Sequence, residues 1–170
     1  MEFKELAEKR YSCRKLSNKP VEKKLLERII TTSILAPTAV NKQPYKIFWM
    51  QSEEAKNAIR KVTSYTFGAE EFLVIGYDES LAWSRKSDKM NFACVDASIV
   101  ATHMMLEIEA VGLATTWVGY FDAPLLQSLC PEMAGYGLIA IFPIGYAAED
   151  AQPAPKHFLR KTPEEMTVTL

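Results

Sequence analysis

Phe92-Ala93-Cys94-Val95-Asp96-Ala97-Ser98-Ile99-Val100-Ala101-Thr102-His103-Met104-Met105-Leu106-Glu107-Ile108-Glu109-Ala110-Val111 is the longest coherent segment of the chain, and its reading decides the fold. It contains neither Pro nor Gly, and Gly112 follows in the normal position for ending a helix. One face of the predicted helix carries Val95, Ile99, Thr102 and Leu106; another carries Ala97, Ala101, Met104, Ile108 and Val111. Apolar residues on two sides imply wide burial, in the centre of a domain or against a partner subunit. Cys94, between Ala93 and Val95, reads as a small core residue and not as a nucleophile. His103 and Glu107 lie one turn apart, but the pattern is not HExxH and supplies no third ligand, so no metal site is expected.

On the N-terminal side, Phe72 to Tyr77 is apolar throughout and predicts a central strand. The polar section Asp78 to Asn91, anchored by Trp83, reads as loop, short helix or both. Ser52 to Thr63 predicts a helix with Glu53 and Glu54 in its first turn, and Tyr45 to Met50 a short strand. Pro37 to Pro44 is a loop. Leu25, Leu26, Ile29, Ile30 and Ile34 predict a helix after Pro20, and Phe3 to Lys9 a short one before the polar run 9–15. On the C-terminal side, Thr115 to Tyr120 reads as a third strand or a tight extended segment, and Asp122 caps a helix through Leu129. Leu138 to Tyr146 predicts a fourth strand, with Pro143 favouring an edge or a bulge. The tail from Ala147 looks like an arm without its own core, wrapping the body or a partner. There is no internal repeat, and residues 1–170 read as a single domain of α+β or α/β sandwich type.

The composition fits such a domain. The chain has 170 residues, 48% hydrophobic and 24% charged. Twenty basic against 21 acidic residues leave a formal charge of −1, which argues against a general nucleic-acid or membrane-surface binder. Cys13, Cys94 and Cys130 are too few and too spread for a disulfide scaffold, so a reduced, cytoplasmic protein is expected. The first 20 residues hold Glu2, Glu5 and Glu8 and no apolar run, so no signal peptide is expected, and no apolar stretch is long enough for a membrane span.

The chain lacks GxSxG, GxGxxG and P-loop patterns, and its paired carboxylates fall in solvated positions. Two windows remain. Arg10, Ser12 and Arg14 offer two guanidinium groups and a hydroxyl within five residues, which suits a phosphate; an ordinary charged helix end is the plainer alternative. In the second window, Asn41 and Gln43 each offer a donor and an acceptor, which suits the edge of a heterocycle; turn chemistry is the plainer alternative.

Taken together, the windows resemble the nitroreductase family of flavin oxidoreductases. Arg10-Tyr11-Ser12-Cys13-Arg14 is similar to its R-[RHY]-S-x-R motif, and Ala36-Pro37-Thr38-Ala39-Val40-Asn41-Lys42-Gln43-Pro44-Tyr45 to A-P-S-x-x-N-x-Q-P-W. Asp96 with its long helix resembles the family's core helix, and 112–119 its G-L-G/A-x-x-W-x-G segment. Pro143-Ile144-Gly145-Tyr146 resembles its late strand, and Arg160-Lys161 with Thr162 to Glu165 its final R-K-P-L-E-E. In this chain Thr38, Tyr11, Leu16 and Tyr45 stand where the family usually has Ser, Arg, Phe and Trp.

The resemblance implies a three-layer α+β sandwich, with a central, mostly antiparallel sheet flanked by helices, in an intertwined homodimer. It implies FMN as cofactor. Arg10, Ser12 and Arg14, within the motif that includes Tyr11, would hold the phosphate and ribityl end, joined by Arg160 or Lys161. Asn41 would touch the ring, with Gln43 beside it, and the partner chain would supply Pro37 to Asn41, Thr38 included. Backbone around Trp117, Val118 and Gly119 would face the isoalloxazine, with an N–H near N5, and Tyr120 and Trp83 could line the open face. The implied activity is reduction of nitroaromatics, quinones or another small acceptor by NAD(P)H, in ping-pong hydride transfer with no catalytic side chain. A non-redox flavin-binding or flavin-remodelling protein is the alternative. The compact section 78–91 implies that the helical excursion covering the substrate in larger members is missing.

Overall fold

The computed structural model describes residues 2–170. Four strands form one antiparallel sheet: β1 (Tyr45–Trp49), β2 (Glu71–Tyr77), β3 (Ala114–Thr115) and β4 (Gly137–Gly145), in the order β1-β2-β4-β3. Around it stand α1 (Phe3–Lys9), α2 (Lys23–Ser33), α3 (Glu53–Val62), α4 (Ala93–Ala110), α5 (Ala123–Leu129) and the short α6 (Pro163–Met166).

Alternation along the strands builds two cores, because successive side chains point to opposite faces. Phe72 and Val74 of β2 and Ile141 of β4 pack with α3 and α5 through Ile59, Val62 and Leu126. Leu73 and Ile75, with Ala140, Phe142 and Ile144, pack with α2 and α4 through Leu26, Ile29, Ala101 and Met104. The result is the helix–sheet–helix sandwich that the sequence implied. The run Phe72–Ile75 is fully buried, as expected of a strand flanked on both sides.

Caps set several helix starts. Ser52 accepts the N–H of Ala55 at 3.2 Å to open α3, and Asp122 accepts that of Leu125 at 2.9 Å to open α5. Each such cap stabilises its helix by about 1 kcal/mol. Gly112 takes φ +80 just after α4, the left-handed turn that lets the chain leave the helix for β3. At Gly137 the ring of Tyr77 lies so close that any Cβ would collide with it.

Two expectations need correction. Pro143 does not mark an edge strand, because β4 lies between β2 and β3. Nor does the one register shift along β2 and β4 fall there; it lies between Ile75 and Gly76. The missing proline N–H is tolerated because the neighbouring ladder has a gap: Thr115 pairs with Ile144, pairing resumes only at Val118 with Ile141, and the Thr115 hydroxyl donates to the Pro143 carbonyl at 2.7 Å. Residues 115–120 therefore form a short strand plus one isolated bridge. Cys94 is exposed, not in the core. The buried stripe of α4 runs through Ala93, Ala97, Val100, Ala101, Met104 and Ile108, and Cys94 lies off it, on the side of the exposed Thr102. Val95, Ile99 and Leu106, on the second apolar face, are only half-buried.

Section 78–91 contains no helix and closes on a bridge between Ser84 and Asn91, with Trp83 edge-on to Phe92 at 5.1 Å. Among the described residues no helix is long and apolar enough to cross a membrane.

Candidate functional site

Residues 11–16 run extended between the sheet and the C-terminal segment. The N–H of Cys13 donates to Thr115 O at 3.0 Å, that of Leu16 to Phe67 O at 2.9 Å and that of Ser17 to Tyr146 O at 2.8 Å. In an extended segment neighbours point opposite ways. Cys13 is fully buried, which turns Ser12 and Arg14 together to the outside. Arg10 joins them from the end of α1, where its N–H donates to Leu6 O at 3.0 Å.

The C-terminal segment closes the other side. It is tied to 11–16 by the Ala148 N–H on Lys15 O at 3.0 Å and by an ion pair between Lys15 and Asp150. A 3-10 turn, Pro155–Phe158, then carries Lys156 and His157 toward Arg10 and Arg14. A cavity of about 250 Å³ lies between them, lined by Arg10, Ser12, Arg14, Lys156, His157 and Arg160, with Ala154. Lys161 does not line it.

Among the described residues no carboxylate lies within 4.0 Å of Arg10, Arg14, Lys156 or Arg160, whereas Lys9 and Arg28 reach Glu109 and Glu107. Few donors of the cavity are spent: Arg14 donates to Ser12 O at 3.2 Å, Arg160 to the carbonyls of His157 and Leu159, and Arg10 approaches Met105 Sδ at 3.8 Å. Four unpaired cations around one hollow repel each other and favour a bound anion. A phosphate fits that donor set, because guanidinium groups meet it with paired, charge-assisted hydrogen bonds.

Arg14 also lines a second, adjoining cavity of about 160 Å³. Its floor is the segment Thr116 to Tyr120, and Tyr65 and Phe67 form its wall. The floor is fixed by two hydrogen bonds of 3.0 Å between Val118 and Ile141, and by the Trp117 ring standing edge-on to Phe142 at 5.4 Å. Tyr65 meets Tyr120 at 5.9 Å, and the Thr63 hydroxyl donates to Tyr120 O at 2.9 Å. A cation-lined pocket thus continues, at Arg14, into an aromatic groove. A larger cleft of about 540 Å³ beside β1 carries Glu54 and Glu132 and no cationic group, so it does not suit an anion.

Of the residues singled out in the sequence, the structure gathers Arg10, Ser12, Arg14 and Arg160 at one cavity and Trp117, Val118, Gly119 and Tyr120 at the next. Pro37, Thr38, Asn41 and Gln43 line neither. Lys156, His157, Tyr65 and Phe67 are additions. The first two belong to the basic run Lys156-His157-Phe158-Leu159-Arg160-Lys161 in the tail; no motif pointed to the aromatic pair.

Tyr11 does not line this cavity itself but packs edge-on against the ring of His157, which does, at 6.3 Å. Burial first, then a hydrogen bond and charge interaction with Cys13 and the charge of Glu109, push its phenol up to about 12. The folded state therefore holds this proton more tightly than the unfolded chain. Between pH 10 and 12 the unfolded chain binds fewer protons than the folded one, so stability falls as pH rises through that window. Burial also raises the phenols of Tyr45 and Tyr77, so thermal unfolding followed with an ultraviolet phenolate titration is expected to show late-ionising tyrosines and a dropping midpoint above pH 10, both lessened in Tyr11→Phe; a Tyr11→Phe variant with an unchanged profile would count against this assignment.

Comparison with known proteins bears on the family and the fold. The model described as "Nitroreductase family" matches residues 7–72 and 63–146. A crystal structure of a nitroreductase family protein from Clostridium difficile 630 superposes with a TM-score of 0.90 at 32% identity, over 100% of both chains. A curated protein of Methanothermobacter thermautotrophicus, named provisionally as an NADH dehydrogenase/NAD(P)H nitroreductase, is 25% identical over 163 residues, 88% of this chain and 80% of its own. A provisionally named nitroreductase from Exiguobacterium sibiricum, solved in complex with FMN, shares the fold at 17% identity, with a TM-score of 0.83 over 100% of this chain and 98% of its own.

Proposed function

Because the chain belongs to the nitroreductase family, we propose that it is an FMN-dependent oxidoreductase that takes hydride from NAD(P)H and reduces a nitroaromatic, a quinone or another small acceptor. The observation that carries this reading is the unpaired cation cluster joined through Arg14 to the groove at 117–119. The FMN of the Exiguobacterium protein and the nitroreductase name of the Methanothermobacter one support it.

In this reading Arg10, Ser12, Arg14 and Arg160 bind the phosphate, with Lys156 and His157 beside them. Lys161 is left outside the pocket. The backbone of Trp117, Val118 and Gly119 faces the ring. Pro37, Thr38, Asn41 and Gln43, which do not line the cavity of their own chain, are supplied by the second copy of a homodimer. The half-buried face of Val95, Ile99 and Leu106 on α4 gives that second copy an apolar surface to cover. Bound FMN would supply hydride chemistry at its N5. The chain's own contribution is binding and orientation, together with N–H and cationic groups that stabilise negative charge on a reduced ring. No side chain has to move a proton in this scheme, in keeping with a site built from cations, amides and aromatic rings.

Purified protein, loaded with FMN and desalted, is expected to stay yellow and to oxidise NADH or NADPH continuously when a quinone or nitroaromatic is added. Retained flavin without turnover would favour a non-redox flavin protein of the same fold. Failure to bind flavin at all would remove both readings.

A further inference from the structure

Asp96 is 1% exposed and stands in the first turn of α4, where a carboxylate complements the helix dipole. Its Oδ1 accepts the backbone N–H of Ala39 at 2.9 Å. Its Oδ2 is buried with no hydrogen-bond partner among the described residues. A buried polar oxygen left unpaired costs stability, so the needs of α4 alone do not explain why a carboxylate is kept here.

What it holds is unusual. Ala39 opens the 3-10 turn Ala39–Asn41, and Val40, Asn41 and Gln43 all have left-handed backbones, with φ of 46, 56 and 50. None is glycine, and the β-branched Val40 is the least tolerant of that region. Such a backbone persists only where its surroundings hold it. Two side chains do so. Asp96 accepts from Ala39, and the Thr38 hydroxyl accepts the N–H of Gln43 at 3.0 Å. Between these pins Asn41 and Gln43 are exposed, and the Gln43 amide reaches back to Asn41 O at 3.4 Å.

We propose that Asp96 is a positioning residue for the flavin site: through the Ala39 N–H it fixes the strained turn that presents Asn41 to the ring. This inference rests on the flavin reading above and extends it to a residue buried in the neighbouring helix. Asp96 touches no reacting atom; it acts through Ala39 and Asn41.

The test is a double-mutant cycle on FMN affinity, read by flavin fluorescence, with the unfolding temperature of each flavin-free variant measured alongside. Asp96→Ala is expected to weaken FMN binding roughly tenfold in the otherwise native protein, and by less than about twofold once Asn41→Ala is present, because both changes disable the same contact. Asp96→Asn keeps an oxygen for the Ala39 N–H and is expected to retain FMN affinity within about twofold. A merely structural role would lower the unfolding temperature and leave the cycle additive. Additivity, an unchanged affinity in Asp96→Ala, or an Asp96→Asn loss as large as that of Asn41→Ala would each overturn the proposal. If Asp96→Ala does not fold, the Asp96→Asn comparison decides alone. If the native protein does not bind FMN, the flavin reading falls and this inference with it; if it binds FMN and the cycle is additive, only this inference falls.

Discussion

Arg14→Ala is expected to weaken FMN binding roughly ten- to hundredfold, with little change in the unfolding midpoint of the flavin-free protein. Charge-assisted hydrogen bonds contribute about 1.5–3 kcal/mol each, and every 1.4 kcal/mol is about tenfold in affinity. Arg14 is exposed and its one internal hydrogen bond is to Ser12 O at 3.2 Å, so its removal takes little from the fold. Among the described residues it is the only cation lining both cavities, so in the proposed reading it joins phosphate and ring. The loss is expected to be greatest at low salt, because the clamp is solvent-accessible and screened as ionic strength rises. Fluorescence titration of FMN at two salt concentrations checks both statements. An unchanged affinity would remove Arg14 from the site.

Phe142→Ala is expected to be the most destabilising single change considered. Phe142 is fully buried at the centre of β4, on the face covered by α2 and α4. Truncating a buried phenylalanine costs about 3–5 kcal/mol, of the same order as the roughly 5–15 kcal/mol that holds a domain together. The consequence is also local. The Trp117 ring stands edge-on to Phe142 at 5.4 Å, so the hole opens under the floor of the aromatic groove. Phe142→Leu fills most of that volume and is expected to recover much of the loss. Urea unfolding of the three proteins, each with and without FMN, measures the effect. A Phe142→Ala midpoint close to native would contradict the packing described.

The strands and helices were legible where burial and periodicity agree. The unbroken run Phe72–Ile75 needs apolar cover on both faces, and it has it. Asp122 announces its helix because a side-chain cap is a local interaction. Pro143 misled because the rule that puts proline on an edge assumes a continuous neighbour, and here the neighbour breaks between Thr115 and Val118. Cys94 misled because its apolar flanks belong to a helix whose buried stripe passes beside it.

At the candidate site, Ser12 and Arg14 share a side because they are two residues apart on an extended segment, which spacing alone suggests. Lys156 and His157 could not be placed that way. Their approach to Arg10 depends on the 3-10 turn Pro155–Phe158, which puts 156, 157 and 160 toward the cavity and leaves Lys161 out. The Pro37–Gln43 loop is harder still. Its side chains line neither cavity of their own chain, so the role proposed for them needs a second copy, and the pin that shapes the loop is 57 residues away in sequence.

Whether the cation cluster clamps a flavin phosphate is decided by comparing FMN with riboflavin, since the two differ only in that phosphate. FMN is expected to bind at least tenfold more tightly at low salt, and the difference to shrink in Arg14→Ala. Equal affinity for the two flavins, in a protein that binds both, would contradict it.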